Sequence, residues 1–253
     1  MRPLFLVVGS ITGRLMRRGR SLAMFLLTAS PAPLIFLIGL GRSSDFAAEM
    51  YNNITSSLGM GILYPVAALV VSTAALGEER KAQTLPFLLL KPVSRPVIAL
   101  GALIAAAISS FVVLEAGVVV TWMVAGAMTG EWSLGVATTV GVAIQSVASA
   151  AIFVPLGLLL NRATLVGLGY LFLWEGILAA LISGIQASSV YRIVVSAWAD
   201  VAVLSLDIYE SVDNILGRVA IGAGGAVAKV LVMALVSVFL TAMVLRRRDL
   251  AGE

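Results

Sequence analysis

Six long apolar runs constrain this chain more than any other feature: residues 21–40, 58–76, 97–127, 136–160, 164–185 and 227–245. The first, second and fourth hold no charged residue, and the others hold only Glu115, Glu175 and Lys229. A hydrocarbon core about 30 Å thick is crossed by roughly 20 apolar residues in helical form, because lipid offers no partner for a backbone N–H or C=O and a helix satisfies both internally. Each run therefore reads as a span, and residues 1–253 as one all-α integral membrane domain. The composition agrees, with 12% charged residues where soluble domains carry about 25%. The third run is longer than one thickness requires, so its helix tilts or protrudes.

The sequence contains no cysteine and no histidine. Disulfides, thiolate or imidazole metal sites and histidine-based catalysis are thereby excluded. The formal charge of +4 suggests nucleic acid only until the cations are located. With both termini inside, Arg2, Arg14, Arg17, Arg18, Arg20, Arg80, Lys81, Lys91, Arg95, Arg162, Arg246, Arg247 and Arg248 share one side, leaving Arg42, Arg192, Arg218 and Lys229. That bias predicts N-in, C-in topology. Arg17, Arg18, Arg246 and Arg247 then stand at the membrane edge as anchors, and nucleic acid is not an expected partner.

Two segments outside the runs carry helical patterns. Leu4, Val8, Ile11 and Leu15 recur at helical spacing beside Arg14, Arg17, Arg18 and Arg20. Residues 1–20 thus read as an amphipathic helix on the inner leaflet or, alternatively, as a charged flank of the first span. Residues 77–96 begin with Glu78-Glu79-Arg80-Lys81, continue with Leu85, Leu88 and Leu89, and stop at Lys91-Pro92. Acids at the start of a short helix and an apolar ridge along it suit either a partner groove or the headgroup layer.

The order Gly77-Glu78-Glu79-Arg80-Lys81, then Thr84-Leu85, Leu88-Leu89-Leu90 and Pro92-Val93-Ser94-Arg95 closely resembles the first cytoplasmic loop of ABC-2 type transporter permeases. The likeness extends to the basic N-terminus, the six spans and the ending Arg246-Arg247-Arg248-Asp249-Leu250. Ala82-Gln83 and Pro86 depart from it. The resemblance implies a coupling helix at 77–96 that seats in an ATP-binding subunit. Glu78, Glu79 and Arg80 would be its polar contacts, Thr84, Leu85 and Leu88 its packing ridge, Arg95 a membrane-edge anchor, and Asn161 with Arg162 a second contact. It further implies a pair of permeases, either two copies or two related chains, with two ATP-binding subunits that hold ATP and Mg2+, in a prokaryotic plasma membrane. No cofactor is expected in this chain, since it contains no Gly-x-x-x-x-Gly-Lys-Ser/Thr loop. The expected activity is transport, most readily export of a small molecule, drug, lipid or peptide, and not catalysis.

An intramembrane carboxylate is costly unless protonated or partnered, so Glu115 and Glu175 are candidates for a substrate or proton path. Each also suits a hydrogen bond that locks two helices. Spacing of small residues at Gly101, Ala105 and Ser109 suggests close helix packing. In residues 186–226, Val201, Leu204, Ile208, Val212, Ile215 and Val219 predict an external amphipathic helix before the last span. An ion-coupled secondary transporter using the two glutamates fits the composition but leaves 77–96 unexplained. An intramembrane protease lacks its histidines.

Overall fold

The computed structural model describes residues 2–16, 18–82, 93–202, 204, 206–216 and 220–251, and among them every regular element is a helix. Among the described residues six helices are long and apolar enough to cross a membrane: Gly19–Gly39, Ser44–Lys81, Arg95–Thr129, Gly135–Leu159, Ala163–Leu181 and Gly222–Arg247. These are called the first to sixth spans. The fourth is central, touching the second, third and sixth spans and the helix Val190–Val201. The first, fifth and sixth lie outside and keep most of their apolar surface uncovered.

Local chemistry shapes the spans. The first turns at Ser30, where Pro31 and Pro33 remove N–H donors and end one helix so that another starts. The second begins at Ser44, fourteen residues ahead of the apolar run that predicted it, with the Ser43 hydroxyl accepting from the Phe46 N–H (3.3 Å) as an N-cap. Its first turns contain Asp45, Glu49, Asn52 and Asn53, which mask them from a reading by hydropathy. They are nonetheless part of the bundle, since Tyr51 is buried and its hydroxyl meets Thr138 at 3.0 Å. A π-helical stretch, Ile54–Leu63, leads into Pro65, whose ring cannot accept an ordinary helical register. The third span runs for 35 residues and stops at Gly130, whose φ of 76° only glycine adopts freely, with its N–H on the Gly126 carbonyl (2.9 Å). At 1.5 Å per residue it is about 50 Å long, so it protrudes beyond the hydrocarbon.

The second and fourth spans touch backbone to backbone. A Cβ on Gly157 would stand 2.2 Å from the Thr73 carbonyl oxygen, and one on Gly77 would stand 3.3 Å from the Gly157 carbonyl oxygen. The N-terminal helix, Arg2–Leu15, buries Val7, Ile11 and Leu15 against the third span instead of turning that face to lipid. Gly101 admits Val7 and Leu4. The helix keeps Phe5 and Leu6 exposed on another side, so it has two apolar faces where the spacing predicted one.

The segment before the sixth span also differs from expectation. The single helix predicted through 201–219 is broken at Ala202, whose ψ of 138° is extended. Helix Val190–Val201 precedes the break and helix Leu206–Leu216 follows it, while Val219 lies outside the described residues. Val190–Val201 is inserted in the bundle, burying Val190, Ile193, Val194, Val195, Ala197 and Trp198 against the fourth and sixth spans. Helix Leu206–Leu216 keeps the amphipathic character expected of the stretch, and Val190–Val201 is equally amphipathic.

Candidate functional site

At one end of the bundle the Arg14, Arg20, Glu78, Glu79, Arg80, Asn161 and Arg162 positions come together. Glu79, 5% exposed, pairs with Arg14 from the last turn of the N-terminal helix. Glu78 pairs with Arg20, which also donates to the Arg14 (3.3 Å) and Leu15 (3.0 Å) carbonyls and so caps that helix's C-terminus. Arg80 donates to the Leu158 carbonyl (2.9 Å) and to the Asn161 side chain at the turn into the fifth span. The three charges that the resemblance directs outward therefore clasp four elements of the chain itself. Glu78 and Arg162 remain exposed. Thr84, Leu85 and Leu88 lie outside the described residues, as does Arg17. Arg95 starts the third span, and Arg246 and Arg247 stand exposed where the sixth ends.

The two intramembrane acids occupy different settings. Glu175 lies in a second π-helical stretch, Tyr170–Leu178. Its Oε1 accepts from the Tyr170 hydroxyl (2.7 Å) and the Val190 N–H (2.9 Å). Its Oε2 accepts from the Ser189 hydroxyl (2.6 Å) and the Tyr191 N–H (3.4 Å). The carboxylate thus sits on the N-terminus of the inserted helix, where unpaired N–H groups and the helix dipole favour an anion. Glu115 lies on the third span and accepts at Oε1 from the Thr139 hydroxyl (2.7 Å), while its buried Oε2 has no hydrogen-bond partner among the described residues.

Sequence reasoning missed the residues that complete this arrangement. Arg192, 9% exposed, donates to the Ala179 carbonyl (3.2 Å) in the last turn of the fifth span and to the Ile215 carbonyl in the last turn of helix Leu206–Leu216. Lys229 of the sixth span donates to the Ala187 carbonyl (2.7 Å) of the 3-10 turn Ser183–Ser188. Ser196 accepts from the Ile221 (2.9 Å) and Gly222 (3.0 Å) N–H groups, and Asp200 from that of Ala223 (2.9 Å), at the start of the sixth-span helix. Acids meet helix N-termini and bases meet C-terminal carbonyls throughout. Each such partner satisfies an N–H or C=O that a helix end leaves unpaired.

A cleft of about 500 Å3 opens beside this network. The two π-helical stretches face each other across it, one contributing Ser57, Gly61 and Ile62 and the other Phe172 and Glu175, with Tyr191 and Arg192 from the inserted helix. An inner recess of about 10 Å3, the size of one water, adjoins Gln145, Ser149 and Glu175. The Gln145 Nε2 donates to Ser149 (2.8 Å), and its buried Oε1 lacks a partner among the described residues. Glu115 lines neither space.

Residues 16–182 match the family described as ABC-2 family transporter protein. The chain belongs to that family. No curated protein matches the sequence. This ABC-2 permease is a multi-pass membrane protein and a transport component. The matched stretch contains the clasp apart from Arg14, both intramembrane glutamates and five spans. It stops before the inserted helix and the sixth span, so the reciprocal capping of Val190–Val201 is a feature that the structure, and not the family match, brings out.

Proposed function

We propose that the chain is the membrane subunit of an ATP-driven exporter, working as a pair of permeases with two separate ATP-binding subunits in a prokaryotic plasma membrane. Membership of the ABC-2 family carries this reading, and the missing phosphate loop of the sequence supports placing ATP and Mg2+ on another chain. The basic end is the docking side, with Glu78, Asn161 and Arg162 at its surface and Thr84, Leu85 and Leu88 on the adjoining segment. The positive-inside bias supports putting that end in the cytoplasm.

The cleft between the π-helical stretches is the part of this subunit that meets the substrate. π-Helical turns recur at functional sites because they widen the helix and free side-chain positions. Its walls suit an amphipathic small molecule, apolar at Ile62 and Phe172 and polar at Tyr191 and Arg192. Glu175 has its acceptor sites filled by four donors, which supports a helix-locking role over a proton or cation carrier. Glu115 retains an unpartnered oxygen but lines neither the cleft nor its recess, which argues against a role on that path.

Affinity purification of the tagged chain in mild detergent tests the assignment. A stoichiometric ATP-binding-cassette chain with vanadate-sensitive hydrolysis is the expected result. A chain that repeatedly purifies alone, without ATPase activity, returns the reading to an ion-coupled carrier.

A further inference from the structure

A second cavity, of about 160 Å3, lies at the basic end between the second, fourth and fifth spans and the start of the first. Arg20, Lys81, Glu78, Thr73 and Thr164 supply its polar wall, and Val70 and Ala74 its apolar floor. The first and fifth spans are 21 and 19 residues long, so each just covers the hydrocarbon thickness of about 30 Å. Arg20 and Thr164, at their starts, therefore mark the boundary between hydrocarbon and headgroups. The longer second span passes this level at Glu78, the residue that pairs with Arg20. The cavity is thus at the depth of the lipid phosphates of that leaflet.

Its charges are only partly paired. Arg20 pairs with Glu78 and donates to the Arg14 and Leu15 carbonyls, and the Thr73 and Thr164 hydroxyls bond each other (3.2 Å). Lys81 is exposed and forms no ion pair among the described residues. Two cations and the one carboxylate of Glu78 leave a formal surplus of a single positive charge, which a phosphodiester neutralises. A metal cation is disfavoured by the two bases. A nucleotide is disfavoured by size, since pockets for drug-sized ligands run to about 300–1,000 Å3.

We propose that this cavity holds the phosphate of an anionic phospholipid, with Lys81 as the donor, the Arg20 guanidinium as the second cation and the lipid tail leaving along Val70 and Ala74. Basic pockets between spans recognise anionic headgroups in this way. The same phosphate chemistry is available from free phosphate, and the depth of the cavity favours the lipid. The inference does not depend on ATP-driven transport.

The test follows thermal unfolding of the purified full chain in neutral-detergent micelles containing rising fractions of phosphatidylglycerol. The expected result is a saturable rise in the unfolding midpoint that zwitterionic phosphatidylcholine does not produce. Lys81→Gln, at an exposed position that leaves the fold intact, should shift half-saturation to about fivefold more lipid, and Lys81→Arg should restore it. Arg247→Gln, which removes an exposed cation elsewhere, should shift it less. Equal shifts in Lys81→Gln and Arg247→Gln would show bulk surface charge and overturn the site. The same Lys81-dependent rise with inorganic phosphate alone would overturn the lipid as its source.

Discussion

Glu175 illustrates how one residue can satisfy a general rule and still escape the reading that rule suggests. An acid inside a span signals function because its desolvation must be offset. Here four donors from Tyr170, Ser189, Val190 and Tyr191 provide the offset. Glu175→Ala strands those donors, and we expect a loss of about 3 kcal/mol of stability. Glu175→Gln keeps an acceptor at one oxygen but turns an amide N–H2 toward donors, so its stability should fall between wild type and Ala. Unfolding in SDS–detergent mixtures ranks the three. Equal stability of wild type and Ala, with altered transport, would make Glu175 a transport residue after all. The capping role was hidden from the sequence because Ser189, Val190 and Tyr191 lie 14 to 16 positions away and become neighbours only when the inserted helix folds back.

At the scale of elements, hydropathy made the spans legible, since apolar length is the quantity a bilayer selects. The polar first turns of the second span and the inserted helix were not legible in the same way. The former carries Asp45, Glu49, Asn52 and Asn53, and the latter spans only 12 residues, short of a crossing, beside a segment rich in acids. The insertion depends on capping. Ser196→Ala leaves the Ile221 and Gly222 N–H groups without their acceptor, and a loss of about 1–2 kcal/mol is expected by the same unfolding measurement. The contact between the second and fourth spans is stricter, because the atom facing Gly157 is backbone. Gly157→Ala must push the two spans apart, at a cost of about 1–3 kcal/mol. Gly13→Ala, with open space at its Cβ, serves as the comparison and should not destabilise. Similar stability for both variants would mean that the spans part freely at this crossing.

For the whole molecule, the basic end sets a problem of attribution. The family likeness directs Glu78 and Glu79 to a partner, whereas the structure engages both within the chain. A charge reversal at Glu79 cannot separate the two roles, because Glu79→Lys would bury an unpaired cation against Arg14 and damage the fold first. Glu78 can separate them, being exposed. Glu78→Arg should weaken both recovery of the ATP-binding subunit and attachment of the N-terminal helix. The double exchange Arg20→Glu with Glu78→Arg restores an ion pair of reversed polarity. If Glu78 also touches the partner, the exchange recovers thermal stability but not complex yield or substrate-stimulated ATPase activity. Recovery of all three would assign Glu78 to the clasp alone and move docking to the surface around Asn161, Arg162 and the segment carrying Thr84, Leu85 and Leu88. In either case the clasp joins the N-terminal helix to the second span, and the second span reaches the cleft through its π-helical stretch, so a displacement at the basic end has a continuous helical route to the proposed substrate surface.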